Sequence, residues 1–536
     1  MSDQQVPVLI VGGSLVGLST AILLGHYGTR ALAVERHRGT AIHPRAAQIS
    51  QRTMEIFRTL GVEQIVRTRS DQQFVQDGAI MAVETLAGRE LTRFIDNLNE
   101  GVRDVSPSER IFISQSLLEP LLKARAEEAG ASLLFGTECV SFVEDADGVT
   151  AVLRGRDGGP EQTVRASYLV AADGAQGAIR DRLGIGVDGR GVFSNSATIY
   201  FRGDVAPLLR GRNLSVIYVS NPVLRGFFRF EKPFDRGFLA VNATGDPGDP
   251  VTDVSTGLTE ERALGLVRAA LGSPDVEIAI ENIMPWNAAA VVAERFRHGR
   301  IFLAGDAAHV MPPNGGFGGN TGVQDAQNLA WKLAMVLKGE AGPDLLASYE
   351  AERRPTAAFT VEQAYSRYVT RTAPYLGIDR IQPVEPDLNI ELGYCYHSGA
   401  VIEEIGGGPA HESPRESRGR PGARAPHVWL ERDGERMSAL DLFGSRFVLL
   451  AGIDGEPWCE GARPAAERSG VPLDIHRPGS RGLYDRDGTF PGAYGLGPDA
   501  AMLVRPDGFV GWRGTARSSD PGHDLARVLS RLTSRS

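Results

Sequence analysis

The chain has 536 residues, 42% of them hydrophobic and 23% charged, a composition typical of a soluble globular protein with about two to four domains. Its formal net charge of -9 excludes the basic surface with which proteins bind nucleic acids or anionic membranes. Its 3 cysteines form no C-x-x-C pair, which excludes a dithiol oxidoreductase and a cysteine-rich metal site.

The N-terminal residues include Asp3 rather than a basic cluster, so no signal peptide is predicted. No apolar run reaches the roughly 20 residues that a membrane-spanning helix needs. We therefore expect a cytoplasmic protein without nucleic-acid, membrane or metal partners. Its oligomeric state is left open between monomer and homodimer.

A strand, a tight turn, a helix and a second strand are predicted at the N-terminus. Val6–Val11 is a nearly continuous apolar run, as in a strand buried on both faces of a parallel sheet. Apolar residues then recur at helical spacing over Leu15–Tyr27, and a second β-prone run covers Thr29–Val34. This order within about 30 residues is typical of a dinucleotide-binding unit.

The turn GGSLVG departs from the pattern G-x-G-x-x-G because Ser14 replaces the middle glycine. Gly12 permits the tight turn, Gly17 permits close packing of helix on strand, and a serine can itself donate to a pyrophosphate at the helix N-terminus. Glu35 stands near the position where a carboxylate binds a ribose hydroxyl and repels a 2′-phosphate. The stretch favours FAD or NAD over NADP without choosing between the first two, and a nucleotide-free βαβ unit is the alternative.

The middle of the chain predicts a second sheet. Tyr168–Arg182 first runs from a strand into a turn at Asp173, which is weak evidence because D-G turns are common. Short alternating aromatic runs such as ATIYFRG, LSVIYVS and GFFRFEK then fill residues 187–284 and indicate an antiparallel sheet. Tyr218 lies in one of these runs and is a candidate to hydrogen-bond a substrate; a tyrosine packed in the sheet is the alternative.

The most informative segment is residues 300–338, RIFLAGDAAHVMPPNGGFGGNTGVQDAQNLAWKLAMVLK. A strand over Ile301–Ala304 runs to Asp306, and a glycine-rich loop follows before a helix from about Thr321. A carboxylate at a strand end can hold a ribityl hydroxyl, and loop N–H groups can stabilise the anion of a reduced flavin. A purely structural loop would not need so many glycines, whose ordering costs entropy. His309 has no partner at metal-ligand spacing, so we expect it to be structural.

Two arginines and a distinct tail complete the chain. Arg367 and Arg371 lie four residues apart in AYSRYVTRTAPYLG and share a helix face, from which one could reach a phenolate; a solvated arginine face is the favoured alternative. Residues 406–426 are rich in proline and glycine and indicate a linker or long loop. The tail beyond them contains two apolar strands and a D-G hairpin turn, but a single cysteine, Cys459.

These motifs resemble the class A flavin-dependent aromatic hydroxylases, which have the p-hydroxybenzoate hydroxylase fold, and most of all their polyketide-tailoring branch. The stretch GDAAHVMPPNGGFGGNTGVQDAQNLAWKLA carries the resemblance most specifically, supported by ADGAQGAIR, RAAQISQRTMEIFRTLG, SQSLLEPLL and YEAERRP. The chain departs from the family pattern at Gly177, usually a serine, and at Phe317 and Gly319 of the flavin loop, usually glutamine and an aliphatic residue.

The resemblance implies an α/β fold in three parts, covering essentially the whole chain. A Rossmann-like FAD-binding domain carries an inserted antiparallel-sheet substrate domain, and a C-terminal thioredoxin-like domain without C-x-x-C serves as a scaffold or for dimerisation. The expected boundaries are 1–186 and 285–405 for the FAD-binding domain, with about 75–110 as candidates for the substrate domain, 187–284 for the substrate domain, 406–426 for the linker and 427–536 for the thioredoxin-like domain.

The resemblance also implies the chemistry. NADPH is a transient co-substrate that reduces tightly bound FAD, O2 adds to the reduced flavin, and the flavin C4a-hydroperoxide hydroxylates a polycyclic aromatic polyketide similar to an anthracyclinone. Baeyer–Villiger oxygenation or another phenol oxidation on the same fold is the alternative, and a non-catalytic flavoprotein is a remote one. A flavin halogenase is disfavoured. Such enzymes need a W-x-W-x-I-P element, and the nearest match in this chain is MPWNAA. NADPH has no sequence motif of its own here.

The flavin-binding residues implied by the family motifs are Gly12, Ser14, Leu15, Gly17, Glu35, Arg36, Arg45, Gln115, Asp306, Pro313, Gly318, Gly319 and Asn320. Arg45 follows the second strand, where the family places an arginine near the flavin diphosphate, and Gln115 opens a helix after RIFIS. Arg371 and Tyr218 are the candidates to activate the substrate, since a cation or donor beside a phenol lowers its pKa.

Overall fold

The computed structural model describes residues 4–42, 48–246, 248–480, 482–514 and 518–535. Arg45, one of the predicted flavin-binding residues, lies outside these ranges. The strands are β1 (Gln4–Val11), β2 (Ala31–Glu35), β3 (Gln48–Ile49), β4 (Ala79–Val83), β5 (Glu90–Ile95), β6 (Ile111–Phe112), β7 (Ser132–Phe135), β8 (Thr137–Glu144), β9 (Val149–Gly155), β10 (Gln162–Ala171), β11 (Val187–Arg202), β12 (Leu214–Ser220), β13 (Leu224–Glu231), β14 (Arg236–Thr244), β15 (Ala279–Ala293), β16 (Arg297–His298), β17 (Ile301–Leu303), β18 (His309–Val310), β19 (Trp429–Arg432), β20 (Glu435–Ser438), β21 (Phe447–Ala451), β22 (Leu473–His476), β23 (Ala501–Val504) and β24 (Val510–Gly514). The helices are α1 (Leu15–His26), α2 (Gln51–Thr59), α3 (Glu63–Gln73), α4 (Gln115–Glu128), α5 (Ala178–Arg182), α6 (Ala206–Leu209), α7 (Glu260–Leu271), α8 (Phe317–Leu337), α9 (Ala347–Arg371), α10 (Asp387–Leu392), α11 (Glu456–Ser469), α12 (Phe490–Tyr494) and α13 (Pro521–Leu532).

The first sheet is built on β1, which pairs in parallel with β2 on one side and with β10 on the other. β10 pairs in parallel with β17, and the main path of the sheet is β16-β17-β10-β1-β2-β7. Val8 and Ile10 have no solvent exposure, as expected of parallel strands covered on both faces. The carboxyl ends of β1, β2 and β17 meet at one edge of the sheet, which brings together Gly12, Glu35 and Asp306.

The second sheet has the order β18-β15-β11-β14-β13-β12-β4-β5 and is antiparallel apart from the pairing of β4 with β12. One face packs against α7 through an apolar cluster that includes Phe228 and Leu239. The cross-strand register places Tyr218, Phe227 and Ala240 side by side on the opposite face, which we call the inner face. The alternation of aromatic residues in these strands therefore gives one buried core and a second aromatic surface.

The C-terminal part forms a four-stranded sheet of order β22-β21-β23-β24, with α11 packed beside it and α13 packed on α11. β23 and β24 form the predicted hairpin, and Gly508 in its turn has a φ of 80°, a conformation that favours glycine. Cys459 lies half-buried in α11, where burial raises the pKa of its thiol. The predicted three-part α/β architecture is confirmed.

A buried ion network joins the C-terminal hairpin to the rest of the chain. Arg505, beside the hairpin turn, donates to Glu352 of α9 at 2.6 and 2.9 Å and to Asp507 at 3.1 and 2.5 Å. Lys332 of α8 donates to Glu352 at 2.8 Å, and Trp331 donates to Asp507 at 3.2 Å. All five side chains are buried. The network therefore fixes the C-terminal domain to α8, the helix that starts at the glycine-rich loop.

Over the ranges that the structure describes, no helix combines the length and the apolar character that crossing a lipid bilayer requires. The same part of the chain holds no group of three or more histidine, cysteine or carboxylate side chains arranged to bind a metal ion. Cys139, Cys395 and Cys459 are free thiols.

Candidate active site

The turn between β1 and α1 requires glycine at two positions. Gly12 has a φ of 112°, and a Cβ atom there would lie 2.1 Å from the carbonyl oxygen of Ala172. A Cβ atom at Gly17 would lie 1.8 Å from the carbonyl oxygen of Gly12. The start of α1 is therefore packed directly against the strand ends, and the first N–H groups of the helix form an anion site at this edge.

The hydroxyl of Ser14, expected to donate to a phosphate, donates instead to the carboxylate of Glu119 on α4. Glu119 also accepts from the backbone N–H groups of Leu15 at 3.0 Å and Ala41 at 2.7 Å. Gln115 donates to Ser14 at 2.8 Å and to Glu119 at 2.6 Å. The family motifs do not single out Glu119. Its signal in the sequence is an acidic residue one helical turn after Gln115, within the apolar stretch SQSLLEPLL.

Glu35, at the end of β2, binds the same turn. One carboxylate oxygen accepts from the N–H of Gly13 at 2.7 Å, and the other accepts from the N–H of His37 at 2.8 Å. The neighbouring Arg36 is exposed, and its positive charge acts on the carboxylate of Asp173, just beyond β10. Glu35 and Arg36, both predicted to bind the cofactor, therefore lie at the edge where the strand ends meet.

Asp306 follows β17 at this edge and is exposed. The backbone around it is held by Asp325 of α8, which accepts from the N–H of Gly305 at 3.0 Å and pairs with Nε2 of His309 at 2.7 Å. Arg353 of α9 donates to the other oxygen of Asp325 at 2.8 Å. Burial alone would raise the pKa of the Asp325 carboxyl, but His309 and Arg353 hold it below its usual value. The structural role predicted for His309 is confirmed, with a carboxylate as its partner.

The glycine-rich loop leads into α8, which begins at Phe317, earlier than the predicted start near Thr321. Gly315 and Gly316 adopt φ angles of 93° and 67°, so the loop turns sharply before the helix. Gly318 and Gly319 form the first helical turn rather than more loop. In the described chain no side chain caps this N-terminus, so the helix start is of the kind that favours an anionic group.

Two of the singled-out polar side chains are engaged within the protein. Asn320 accepts from the N–H of Ser50 at 2.9 Å and donates to the carbonyl of Gln48 at 2.9 Å, so its side chain positions β3. Arg367 is buried and donates to Asp387 at 2.5 Å, so the favoured expectation of a solvated arginine face is wrong for this residue. The carboxylate that explains its burial comes from α10, a separate element that helical spacing does not reveal.

Tyr218 and Arg371, the predicted substrate-activating residues, meet at one aromatic ring. Tyr218 packs edge-on against Phe94 with ring centroids 5.7 Å apart, and the guanidinium of Arg371 lies 5.1 Å from the centroid of the same ring. The buried Asn314, in the glycine-rich loop, donates to the hydroxyls of Tyr218 at 3.3 Å and Thr372 at 3.2 Å. The loop that starts α8 thus contacts the inner face directly. Family motifs contain Asn314 in PPNGG but do not assign it this contact.

The three departures from the family pattern have local physical reasons. A Cβ atom at Gly177 would lie 2.1 Å from the carboxyl carbon of Asp173, and one at Gly319 would lie 2.9 Å from a methyl group of Leu15. Phe317 is buried in an apolar cluster between α8 and α9. Each substitution therefore suits the close packing around the strand edge in this chain.

The edge described above fits an FAD molecule. Glu119 of α4 already accepts from the first helical N–H of α1, that of Leu15. The remaining N–H groups of the first turn, which itself contains no acidic residue, could hold the pyrophosphate, with Glu35 positioned for the adenosine ribose. Asp306 and the N-terminus of α8 lie on the side nearer the inner face and could hold the ribityl chain and the flavin ring. Pro313 stands in the loop between them.

Replacing Ser14 with glycine is expected to leave FAD affinity within about threefold of that of the wild type. The substitution restores the common motif, and Glu119 keeps its donors at Leu15, Ala41 and Gln115. One hydrogen bond of this kind contributes on the order of 1 kcal/mol, and here it does not join the protein to the nucleotide. Titration of the apoprotein with FAD, followed by flavin fluorescence, checks this; a loss of tenfold or more would contradict it.

Comparison with known proteins finds two family models that match this chain. A family model described as an FAD binding domain matches residues 5–364. A second model, described as the C-terminal domain of aromatic-ring hydroxylases, matches residues 418–536. These models together cover the strand edge, the inner face and the C-terminal sheet.

Individual relatives agree over nearly the full length. A 4-methyl-5-nitrocatechol 5-monooxygenase from Burkholderia is 52% identical, over 98% of this chain and 97% of that protein. An aklavinone 12-hydroxylase from Streptomyces purpurascens is 39% identical over the whole of both chains. The crystal structure of a ternary complex of aklavinone-11 hydroxylase with FAD and aklavinone superposes with a TM-score of 0.93 and 38% identity, again over the whole of both chains. The chain therefore belongs to the class A flavin-dependent aromatic hydroxylases, in the polyketide-tailoring branch of these FAD monooxygenases.

Proposed function

We propose that this protein is an NADPH-using monooxygenase that hydroxylates a phenolic aromatic ring, such as that of an anthracyclinone-like polyketide, with tightly bound FAD. The observation that supports the proposal is the contact between Asn314 of the glycine-rich loop, which we assign to the flavin ring, and Tyr218 of the inner face, which we assign to the substrate. The phenol is the unit common to aklavinone and to a nitrocatechol, which the relatives' names mention.

When bound, FAD supplies the redox chemistry: it accepts hydride from NADPH and activates O2 for transfer of one oxygen atom. The protein holds the cofactor and orients the ring. We assign the α1 N-terminus, with Gly12 and Gly17, to the pyrophosphate, Glu35 to the ribose, and Asp306 to the ribityl chain. The N–H groups at the start of α8 would hold the flavin pyrimidine and stabilise negative charge on it.

Arg371 and Tyr218 activate the substrate in this proposal. A guanidinium and a phenol O–H beside the substrate hydroxyl favour its ionised form, and a phenolate is a stronger nucleophile toward an electrophilic oxygen than a phenol is. The aromatic side chains around them, Phe94 and Phe227, exclude water from the reacting ring. Asn314 orients the hydroxyl of Tyr218.

The variant Asp306→Ala is expected to purify without flavin, because it removes the carboxylate assigned to the ribityl chain. The measurement is the flavin absorbance near 450 nm, relative to protein absorbance, after gel filtration. Asp344→Ala is the matched control, since Asp344 is an exposed carboxylate of the same domain, away from the strand edge. An FAD content equal to that of the control would contradict the assignment, and a wild-type protein that takes up no FAD would end the proposal.

The variants Arg371→Met and Tyr218→Phe are expected to keep FAD and to shift the rising limb of the pH profile of kcat upward, because kcat reports ionisation of the bound substrate. Loss of about 1.4 kcal/mol of phenolate stabilisation corresponds to one pH unit. Substrate-dependent NADPH oxidation measured across pH, with mass spectrometry for the gain of one oxygen atom, checks the result. A nitrophenol, already ionised at neutral pH, should lose less activity than an unsubstituted phenol. Equal losses on both substrates, with unshifted profiles, would assign the two residues to packing alone.

A further inference from the structure

The inner face carries a buried arginine for which none of the flavin chemistry above has a use. Arg225 of β13 is 5% exposed. It lies two residues before Phe227, whose ring packs against Tyr218, so its side chain is on the inner face. The preceding Leu224 belongs to the opposite, apolar face.

Arg225 has no ion-pair partner among the residues that the structure describes. Nη1 of Arg225 is buried without a hydrogen-bond partner among the described residues, and none of the ion pairs found in that part of the chain includes this guanidinium. Burying an arginine unpaired is costly, and proteins retain such a group when something pairs with it. Among the described residues, the buried arginines Arg353, Arg367 and Arg505 each bind a carboxylate. The buried Arg229 instead lies over the rings of Phe74 and Phe112, and no such ring contact is found for Arg225 in this part of the chain.

One phenol, that of Tyr375, lies near this arginine, and a second, that of Tyr368, lies behind the first in the same cluster. The charge of Arg225 acts on the phenol of Tyr375, which in turn faces the phenol of Tyr368, at the end of α9. Neither hydroxyl has a hydrogen-bond partner of ordinary geometry within the described ranges. Burial raises the pKa of both phenols, so at neutral pH each is an uncharged O–H donor and neither serves as a counter-ion for Arg225.

We propose that Arg225 and Tyr375, with Tyr368 behind them, form a subsite for a planar two-oxygen substituent of the substrate ring, a nitro or a carboxylate group. The guanidinium matches such a group because its N–H donors form two parallel hydrogen bonds to two coplanar oxygens. The phenol O–H of Tyr375 adds a third donor. A nitro group on an ionised phenol carries part of the ring's negative charge. Like a carboxylate, it can therefore pair with the charge of the buried guanidinium.

This inference rests on the proposed function, because it places the substituent on a ring bound at the inner face. Arg225 lies on the strand next to that of Tyr218, and β13 pairs with β12 through Phe227 opposite Tyr218. The ring hydroxyl at Tyr218 and the substituent at Arg225 would thus be held at different points of one ring system. The relative that acts on a nitrocatechol carries a substituent of this class in its named substrate.

The test measures ligand binding to the FAD-loaded protein without NADPH, through the change in flavin absorbance. The ligands are catechol, 4-nitrocatechol and 3,4-dihydroxybenzoate, which share the diol and differ in the substituent. The wild type should bind at least one substituted ligand tenfold or more tightly than catechol. Arg225→Met should remove that preference while changing catechol affinity by less than about threefold, as expected for lost hydrogen bonds to a charged group.

Two further variants keep the outcome interpretable. Arg236→Met, at an exposed arginine of the adjacent strand β14 paired with Glu281, should preserve the preference. Tyr375→Phe should reduce it by about three- to tenfold without affecting the fold, because only a hydroxyl is removed. The proposal is overturned if the wild type shows no preference, or if Arg225→Met weakens all three ligands equally. An FAD-loaded wild type that oxygenates phenols but lacks the preference would leave the proposed function standing; one that oxygenates no phenol would overturn the proposed function itself.

Discussion

Gly17→Ala is expected to give a protein that retains less than a tenth of the wild-type FAD content. The added Cβ atom would lie 1.8 Å from the carbonyl oxygen of Gly12, which is backbone and has no rotamer to change. The turn cannot move in the other direction either, because Gly12 lies against the backbone of Ala172, the residue that follows β10. Helix α1 must therefore move away from the sheet, and the N–H groups assigned to the pyrophosphate move with it.

Flavin absorbance after purification and the circular dichroism spectrum of the same sample separate loss of cofactor from loss of fold. The matched control is Gly39→Ala, because no atom lies within 4 Å of a Cβ built at Gly39. Ser14→Gly, two positions into the same turn, should also keep its flavin. A Gly17→Ala protein with full FAD content and wild-type melting temperature would contradict the assignment of this turn to the cofactor.

Glu352→Gln is expected to destabilise the protein by about 3–5 kcal/mol, a large part of the roughly 5–15 kcal/mol by which folded proteins are stable. The carboxylate lies between Arg505 and Lys332, all three being buried, and its removal leaves a positive charge in the interior without compensation. Because Arg505 belongs to the C-terminal hairpin, the loss should fall on the contact between that domain and α8. Urea denaturation should then show an early transition, and protease should cut more readily within residues 406–426.

Lys332→Met is the matched variant for this network. Burial lowers the pKa of the Lys332 ammonium to about 8, so the folded protein holds this charge at a cost, and Glu352 retains Arg505 as its partner when the lysine is gone. We expect a loss of stability well below that of Glu352→Gln, and measured urea midpoints decide between them. Equal losses would mean that the network stabilises through packing volume rather than charge compensation.

The parts of this molecule with strong local patterns could be predicted from sequence. The β1–α1–β2 unit, the turn at Asp306 and the antiparallel sheet follow from apolar periodicity and from glycine positions, which are properties of neighbouring residues. Gly12 and Glu35 alone leave the cofactor open between FAD and NAD; Asp306 and the glycine-rich loop after it favour FAD, and the resemblance to aromatic hydroxylases agrees. The start of α8 was misplaced because glycine weakens a helical pattern even where it forms the first turn.

The buried polar contacts could not be predicted in the same way. Ser14 binds Glu119 across 105 residues, and Arg505 binds Glu352 across 153 residues, so no local spacing connects the partners. Charged residues are also expected at the surface by default, which explains the error at Arg367. The same default assigns Arg225 to the surface. The role of Arg45, the use of NADPH and the exact domain boundaries stay predictions.

The network around Glu352 has a practical meaning for recombining hydroxylases of this family. α8 runs from the glycine-rich loop to the C-terminal hairpin, so it connects these two regions directly although they are distant in sequence. A hybrid that joins the first 400 or so residues of one relative to the tail of another inherits half of a charge network from each parent. Such crossovers should succeed when both parents carry matching partners for Arg505 and Asp507, and exchange of the tail alone should otherwise yield insoluble protein.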